Sequence, residues 1–201
     1  GVTEVTQGMW RKVMGDNPSH FRNGVNTPVE SMDWYRAVEF ANELSTKDGL
    51  VPYYVINGTQ VSRKDKATGY RLPTEAEWEF AARGGAGHVY AGDADVGNVA
   101  WYKANSFGRP HNVATKRPNG FGLYDMSGNV WEWCWDWFAN SLPSGINPSG
   151  PAHGEHRIWR GGAWDELDRY VRLANRGFNK TAGTKDKGLR LVRSPGPSTA
   201  D

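Results

Sequence analysis

The sequence predicts a single α+β domain in which short helices and small strands hold together much ordered coil. Three observations carry that expectation. A chain of 201 residues is long enough for one domain with a sizeable core. Hydrophobic residues make up 38% of it, yet 25 Gly and 11 Pro divide it into many turns. Two segments carry strong helix signals, and one run, WEWCWDW, alternates at every second residue. Each of the ten tryptophans adds a large apolar body with one N–H that needs an acceptor, so specific packing is implied.

The elements follow in order. Thr6 is placed to cap a short helix over QGMWRKVMG, which Gly15 would end; Trp10 and Met14 share a face at i, i+4. GDNPSHF reads as a turn. SMDWYRAVEFANELS repeats Trp34, Val38 and Ala41 at helical spacing. Val51 to Ile56 followed by Asn57-Gly58 predicts a β-hairpin. In LPTEAEWEFAARGG, Thr74 and Glu77 stand as N-cap and N3 of a capping box, and Gly84-Gly85 provides the stop. From Gly85 onward the chain is loop-rich, and long coil in a compact domain is usually functional or pinned by packing and ions. The tail at 194–201, SPGPSTAD, is expected to be flexible, leaving a domain of residues 1–193.

WEWCWDW must be a strand. A helix turns 100° per residue and would scatter Trp131, Trp133, Trp135 and Trp137 around its axis, whereas a strand points all of them to one side. Glu132, Cys134 and Asp136 then point the other way. The expected purpose of the tryptophan face is core packing, with a binding platform as the lesser alternative.

Composition excludes several functions. Net charge is +2, with 24 basic and 22 acidic residues and no basic block interleaved with aromatics, which argues against a nucleic-acid partner. Mean hydropathy is −0.69 and no apolar run is long enough for a membrane span. The single cysteine, Cys134, forbids an internal disulfide and a multi-thiolate metal cluster within one chain. Localisation stays open; removal of an upstream signal would fit an extracytoplasmic or cell-surface protein.

EVTQGMW, NPSHF, PVESMDWYRAVEFANELS, YRLPTEAEWEFAARGG, NGFGLYDMSGNVWEWCWDWF, RIWRGGAWD and GLRLV occur in that order between about Val2 and Val192. Together they resemble the formylglycine-generating enzyme, or sulfatase-modifying factor, domain family. The resemblance implies a C-type-lectin-like core: a small twisted antiparallel sheet, two main helices and much ordered coil. Family members carry a further N-terminal strand before the EVT segment, so its lack here suggests a trimmed piece.

The resemblance also implies a structural calcium ion. Its ligands would be the side chains of Asp125 and Glu132 and the carbonyls of Gly128 and Val130, a hard-oxygen set that suits Ca²⁺ once water completes it. Read without the resemblance, Asp125 would cap a turn and Glu132 would lie on a solvated strand face. A second family calcium site needs an acidic loop between Asn105 and Pro118, and SFGRPHNVATKR has no acid, so that site is expected to be absent.

The family enzyme oxidises a substrate cysteine to formylglycine with copper(I) held by two cysteines near a serine. Those positions correspond here to Glu166, Val171 and Ala163. Soft thiolates suit Cu(I), and these side chains do not replace them, so copper and formylglycine formation are both unexpected. A sulfoxide synthase branch uses a histidine-bound iron, but His153 and His156 sit in a Gly/Pro-rich loop and read as solvated. Glu166 is the one candidate catalytic acid/base for a non-copper oxidation of a peptide or thiol, in a pocket shared with Trp164.

The same fold also displays ligands, on a C-terminal segment covering the face that is catalytic in the enzymes. Here that segment offers Trp164, Asp165, Glu166, Arg169, Tyr170, Asn175, Phe178 and Asn179, side chains able to stack, charge-pair and hydrogen-bond. The opposing possibility is that Arg172, Arg176 and Arg190 brace loops internally and the rest are ordinary surface. The preferred reading is a calcium-stabilised binding or accessory module for a protein or peptide ligand; the alternative is the non-copper oxidoreductase.

Overall fold

Three side-chain caps set the three longer helices. Thr6 accepts from the Met9 amide and starts α1 (Gln7–Met14), which Gly15 ends in the left-handed conformation. Asp33 accepts from the Arg36 amide and starts α2 (Trp34–Lys47). Thr74 and Glu77 form the reciprocal capping box at the head of α3 (Glu75–Arg83). Each such cap contributes about 1 kcal/mol, and all three helices lie where the sequence placed them. The computed structural model describes residues 1–141 and 145–194; apart from Ser194, the predicted tail lies outside the described residues.

The hairpin forms one step later than expected. β1 (Tyr54–Asn57) pairs antiparallel with β2 (Gln60–Arg63), and Asn57 faces Gln60, so Gly58 and Thr59 make the turn. Val51 stays outside the hairpin because Thr68 and Gly69 take its backbone: its amide donates to Thr68 Oγ1 and its carbonyl accepts from Gly69. β3 (Tyr70–Arg71) pairs with β8 (Val192–Arg193), near the end of the described chain. Between α3 and the tryptophan strand the only regular element is the short α4 (Val96–Val99).

The main sheet holds β4 (Trp131–Trp137), β5 (Arg157–Arg160), β6 (Arg176–Asn179) and β7 (Lys187–Gly188) in the order β6-β5-β4-β7, antiparallel except for β4 with β7. Its two faces differ in chemistry. On one, Trp131, Trp133 and Trp159 pack with Trp34, Phe40 and Ala41 of α2, and the Trp133 and Trp159 rings meet edge to face at 5.1 Å. The Trp34 indole donates to the Cys134 carbonyl across this face at 2.9 Å. Core packing is therefore what Trp131 and Trp133 do, as expected.

The other face is equally buried. Cys134 and Ile158 pack there against Trp78 and Ala82 of α3. Beside them Arg160, fully buried, donates to Glu75 and Glu79 at 2.7 Å each. Arg176 reaches both oxygens of Glu75, at 2.6 and 2.8 Å. Breaking one partner of such a buried ionic network typically costs about 3–5 kcal/mol, because a charge is left uncompensated. The solvated face considered for Glu132 is thus overturned: Glu132 is 0% exposed, because β4 lies beneath α3 as well as α2.

Asp136 is the weak member of this face. Its Oδ2 accepts from the Glu75 amide at 2.7 Å, while Oδ1 is buried without a partner among the described residues. Burial pushes its pKa from 3.8 up to about 6. A raised acid takes up a proton on folding, so its contribution to stability falls as pH rises from about 4 to 6 and stays low above that. Asp136→Asn, measured by urea denaturation, is expected to be more stable than the parent above pH 6 by on the order of 2 kcal/mol, with the gap closing below pH 4.

Candidate functional site

The turn leading into β4 is shaped by its backbone. Asp125 and Asn129 adopt positive φ (57° and 62°), and so does Gly128 (79°). A Cβ on Gly128 would lie 2.2 Å from the Trp101 carbonyl, so only glycine fits. The Gly128 amide donates to Gly161 and the Asn129 amide to Trp101, tying the turn to the segment after β5 and to the loop after α4.

Charge is concentrated around that turn. Glu132 accepts two bonds from Arg190 Nε (3.1 and 3.0 Å), a third from Arg190 Nη2 at 2.8 Å, and one from the Trp78 indole at 2.6 Å. Asp125 accepts from the Ala114 amide with Oδ2, and its Oδ1 is buried without a partner among the described residues. Glu4 accepts from the Val130 amide and from the Asn129 side chain. Burial pushes the Asp125 carboxyl up to about 6. It pushes Glu4 well above the carboxylate range, helped by Asp125 and Glu132. Burial also works against the Arg190 charge, but Glu132 outweighs it and holds that guanidinium above its ordinary range.

Buried acidic groups outnumber basic ones around this turn. Three buried carboxylates, Glu4, Asp125 and Glu132, face one buried guanidinium, Arg190, and one carboxylate oxygen is unpartnered. Among the described residues no three His, Cys, Asp or Glu side chains group closely enough to hold a metal by themselves. Backbone carbonyls such as those of Gly128 and Val130 would have to share the task, as Ca²⁺ readily allows. Glu4, Asn129 and Arg190 escaped notice as part of this centre. Their partners lie 58 to 126 residues away in sequence, where no local spacing signals them.

The expected display residues divide into groups. Trp164 is a correction: it is 5% exposed, packed edge-on against Phe21 at 5.2 Å, and belongs to the core. Asp165 is exposed and Glu166 half-buried in the turn that follows. Burial raises the pKa of both, and Asp165 adds to the shift of Glu166. Arg169 and Tyr170 are exposed on a 3-10 turn with the guanidinium 4.7 Å from the ring centre, and Asn175 donates to the Tyr170 carbonyl at 2.9 Å. Phe178 and Asn179 lie exposed on β6, where Phe178 stacks on Phe138 at 3.7 Å. Four clefts of 250 to 550 Å³ among the described residues are lined by other side chains than Trp164 and Glu166. Arg176 and Arg190 do brace the interior, whereas Arg172 is exposed.

Ala163 and Val171 are fully buried, and Cys134 is buried within β4 with its thiol pushed well above its usual pKa by burial. No helix among the described residues is long and apolar enough to cross a membrane.

Comparison with known proteins gives a consistent result. Residues 2–195 match the sulfatase-modifying factor enzyme 1-like domain. The chaperone protein LppX of Paenibacillus barcinonensis is 37% identical over 96% of this chain and 79% of its own length. The formylglycine-generating enzyme of Streptomyces coelicolor is 42% identical, over 55% of this chain and 42% of its own length. Treponema denticola variable protein 1 superposes with a TM-score of 0.92 at 38% identity, covering 97% of this chain and 84% of that one.

Proposed function

This chain belongs to the sulfatase-modifying factor domain family, with its C-type-lectin-like fold, and from that premise we propose that it is a calcium-stabilised binding or accessory module for a protein or peptide ligand. The observation that carries the reading is the contrast within one segment. Ala163 and Val171, standing where the family's catalytic serine and one copper cysteine would be, are buried apolar side chains. Around them Asp165, Arg169, Tyr170, Phe178 and Asn179 face solvent. Exposed Tyr and Arg on a rigid scaffold are the residues that dominate binding energies at interfaces. A relative named a chaperone protein and a structural neighbour named a variable protein support a non-catalytic role. The second reading, a non-copper oxidation of a peptide or thiol, rests on Glu166, whose raised pKa suits an acid/base.

The first reading has a direct test. Incubation with copper(I), oxygen and a cysteine-containing sulfatase peptide is expected to leave the peptide unchanged by mass; aldehyde formation would overturn the binding-module reading.

The calcium ligands in this reading are Asp125, Glu132 and the carbonyls of Gly128 and Val130, supported by the unpartnered Asp125 oxygen and the excess of buried carboxylates. A cation bound only to the folded state at 100-fold its dissociation constant adds about 2.7 kcal/mol. Chelation should therefore lower the melting temperature by several degrees, and added Ca²⁺ should restore it. An unchanged melting temperature would remove calcium from the account.

A further inference from the structure

A cleft of 550 Å³ opens between the β1–β2 hairpin and the segment preceding β5; Arg63, Trp135, Trp137, His153 and Arg157 are among its lining residues. None of the display residues at 164–179 borders it. Its floor holds an unusual group. Arg157 is 3% exposed, with its guanidinium 3.7 Å from the Trp34 ring centre and 3.4 Å from that of Trp137. Its Nη1 donates to the Trp135 carbonyl, and its Nε has no acceptor among the described residues.

Arg63 approaches from the hairpin side. Both guanidinium groups lie over the Trp135 ring, Arg63 at 5.2 Å and Arg157 at 5.1 Å from its centre. Arg63 Nη2 also donates to Ser149 Oγ at 2.9 Å, which ties the hairpin to the opposite wall. Neither arginine forms an ion pair among the described residues. That sets Arg157 apart from Arg160, Arg176 and Arg190, each of which reaches a carboxylate inside the fold. Burial lowers the Arg157 pKa to about 9, and the fields of Tyr35, Tyr54 and Asp136 only partly offset that cost.

A buried guanidinium held by aromatic faces and one carbonyl retains both its charge and its unused donor capacity. The volume lies within the range of small-molecule sites. An apolar ring is a poor occupant, because the Trp135 and Trp137 faces already carry guanidinium groups. Donors stand on the floor (Arg157), on the hairpin wall (Arg63, Ser62) and on the opposite wall (Ser149, His153). Donors spread in this way suit an acceptor whose oxygens point in several directions, more than a planar carboxylate.

We propose that this cleft binds a tetrahedral oxyanion, a phosphate or sulfate carried on a small polar molecule, with Arg157 and Arg63 as its charge partners. The site is independent of the display surface, and either can fail without the other.

The test is a titration of the ¹⁵N-labelled protein, following the indole N–H signals of Trp135 and Trp137. Inorganic phosphate and inorganic sulfate are the probes, in separate arms that decide between the two; acetate and chloride at matched ionic strength are the comparators. Saturable shifts with phosphate or sulfate are expected, with about tenfold weaker binding in Arg63→Gln. Arg157→Lys stands to lose packing between two tryptophans, so the exposed Arg63→Gln and His153→Ala carry the test, and Arg169→Ala should leave binding unchanged. Equal shifts with chloride, acetate binding as well as the tetrahedral ions, or full affinity in Arg63→Gln would overturn the proposal.

Discussion

The constraint on which the rest of this structure depends is that β4 is buried on both faces. A half-exposed strand needs one apolar side; β4 has to satisfy two environments at once. Its odd positions, Trp131 and Trp133, meet α2 and Trp159, while its even positions, Glu132, Cys134 and Asp136, meet α3 and buried arginines. The carboxylates on that second face are tolerable only because charge and N–H donors come to them. Arg190 and Trp78 serve Glu132, and the Glu75 amide serves Asp136. Neighbouring β5 follows the same division, with Trp159 on one side and Arg160 on the other.

A sheet held this way frees the remaining chain from forming regular structure. The long coil between Arg83 and Trp131 is pinned by backbone and side-chain bonds to other parts of the chain, as where Asn129 joins Glu4 to the His111 loop. The segment after β5 begins inside the core, at Gly161 to Trp164, and only then emerges at Asp165. It returns to the sheet as β6, where Gly177 lies so close to Trp159 that an added Cβ would sit 1.7 Å from its Nε1. The exposed residues between those anchors thus stand on a fixed base, which lowers the ordering cost of binding.

Much of the fold was legible because it is local. Thr6 and Thr74 cap helices through bonds to amides three residues on. The alternation of β4 is visible within seven residues. What sequence reasoning missed is set by contacts between distant parts of the chain. The side chain of Trp164 looks like an interface anchor until Phe21 covers it. Glu132 looks solvated until Arg190, 58 residues later, arrives at 2.8 Å. Val51 looks like the start of the hairpin until Thr68 and Gly69 take its backbone groups. In each case a partner that local pattern cannot name decided between two locally sensible outcomes.

Amide hydrogen exchange tests the claim that a doubly buried β4 is the rigid base of the molecule. The amides of residues 131–135 and 158–160 should exchange only through global unfolding and share its free energy and denaturant dependence, while those of 165–170 and 178–180 exchange through small local openings. Exchange of the β4 amides at rates like those of the 165–170 segment, with no dependence on denaturant, would contradict the account.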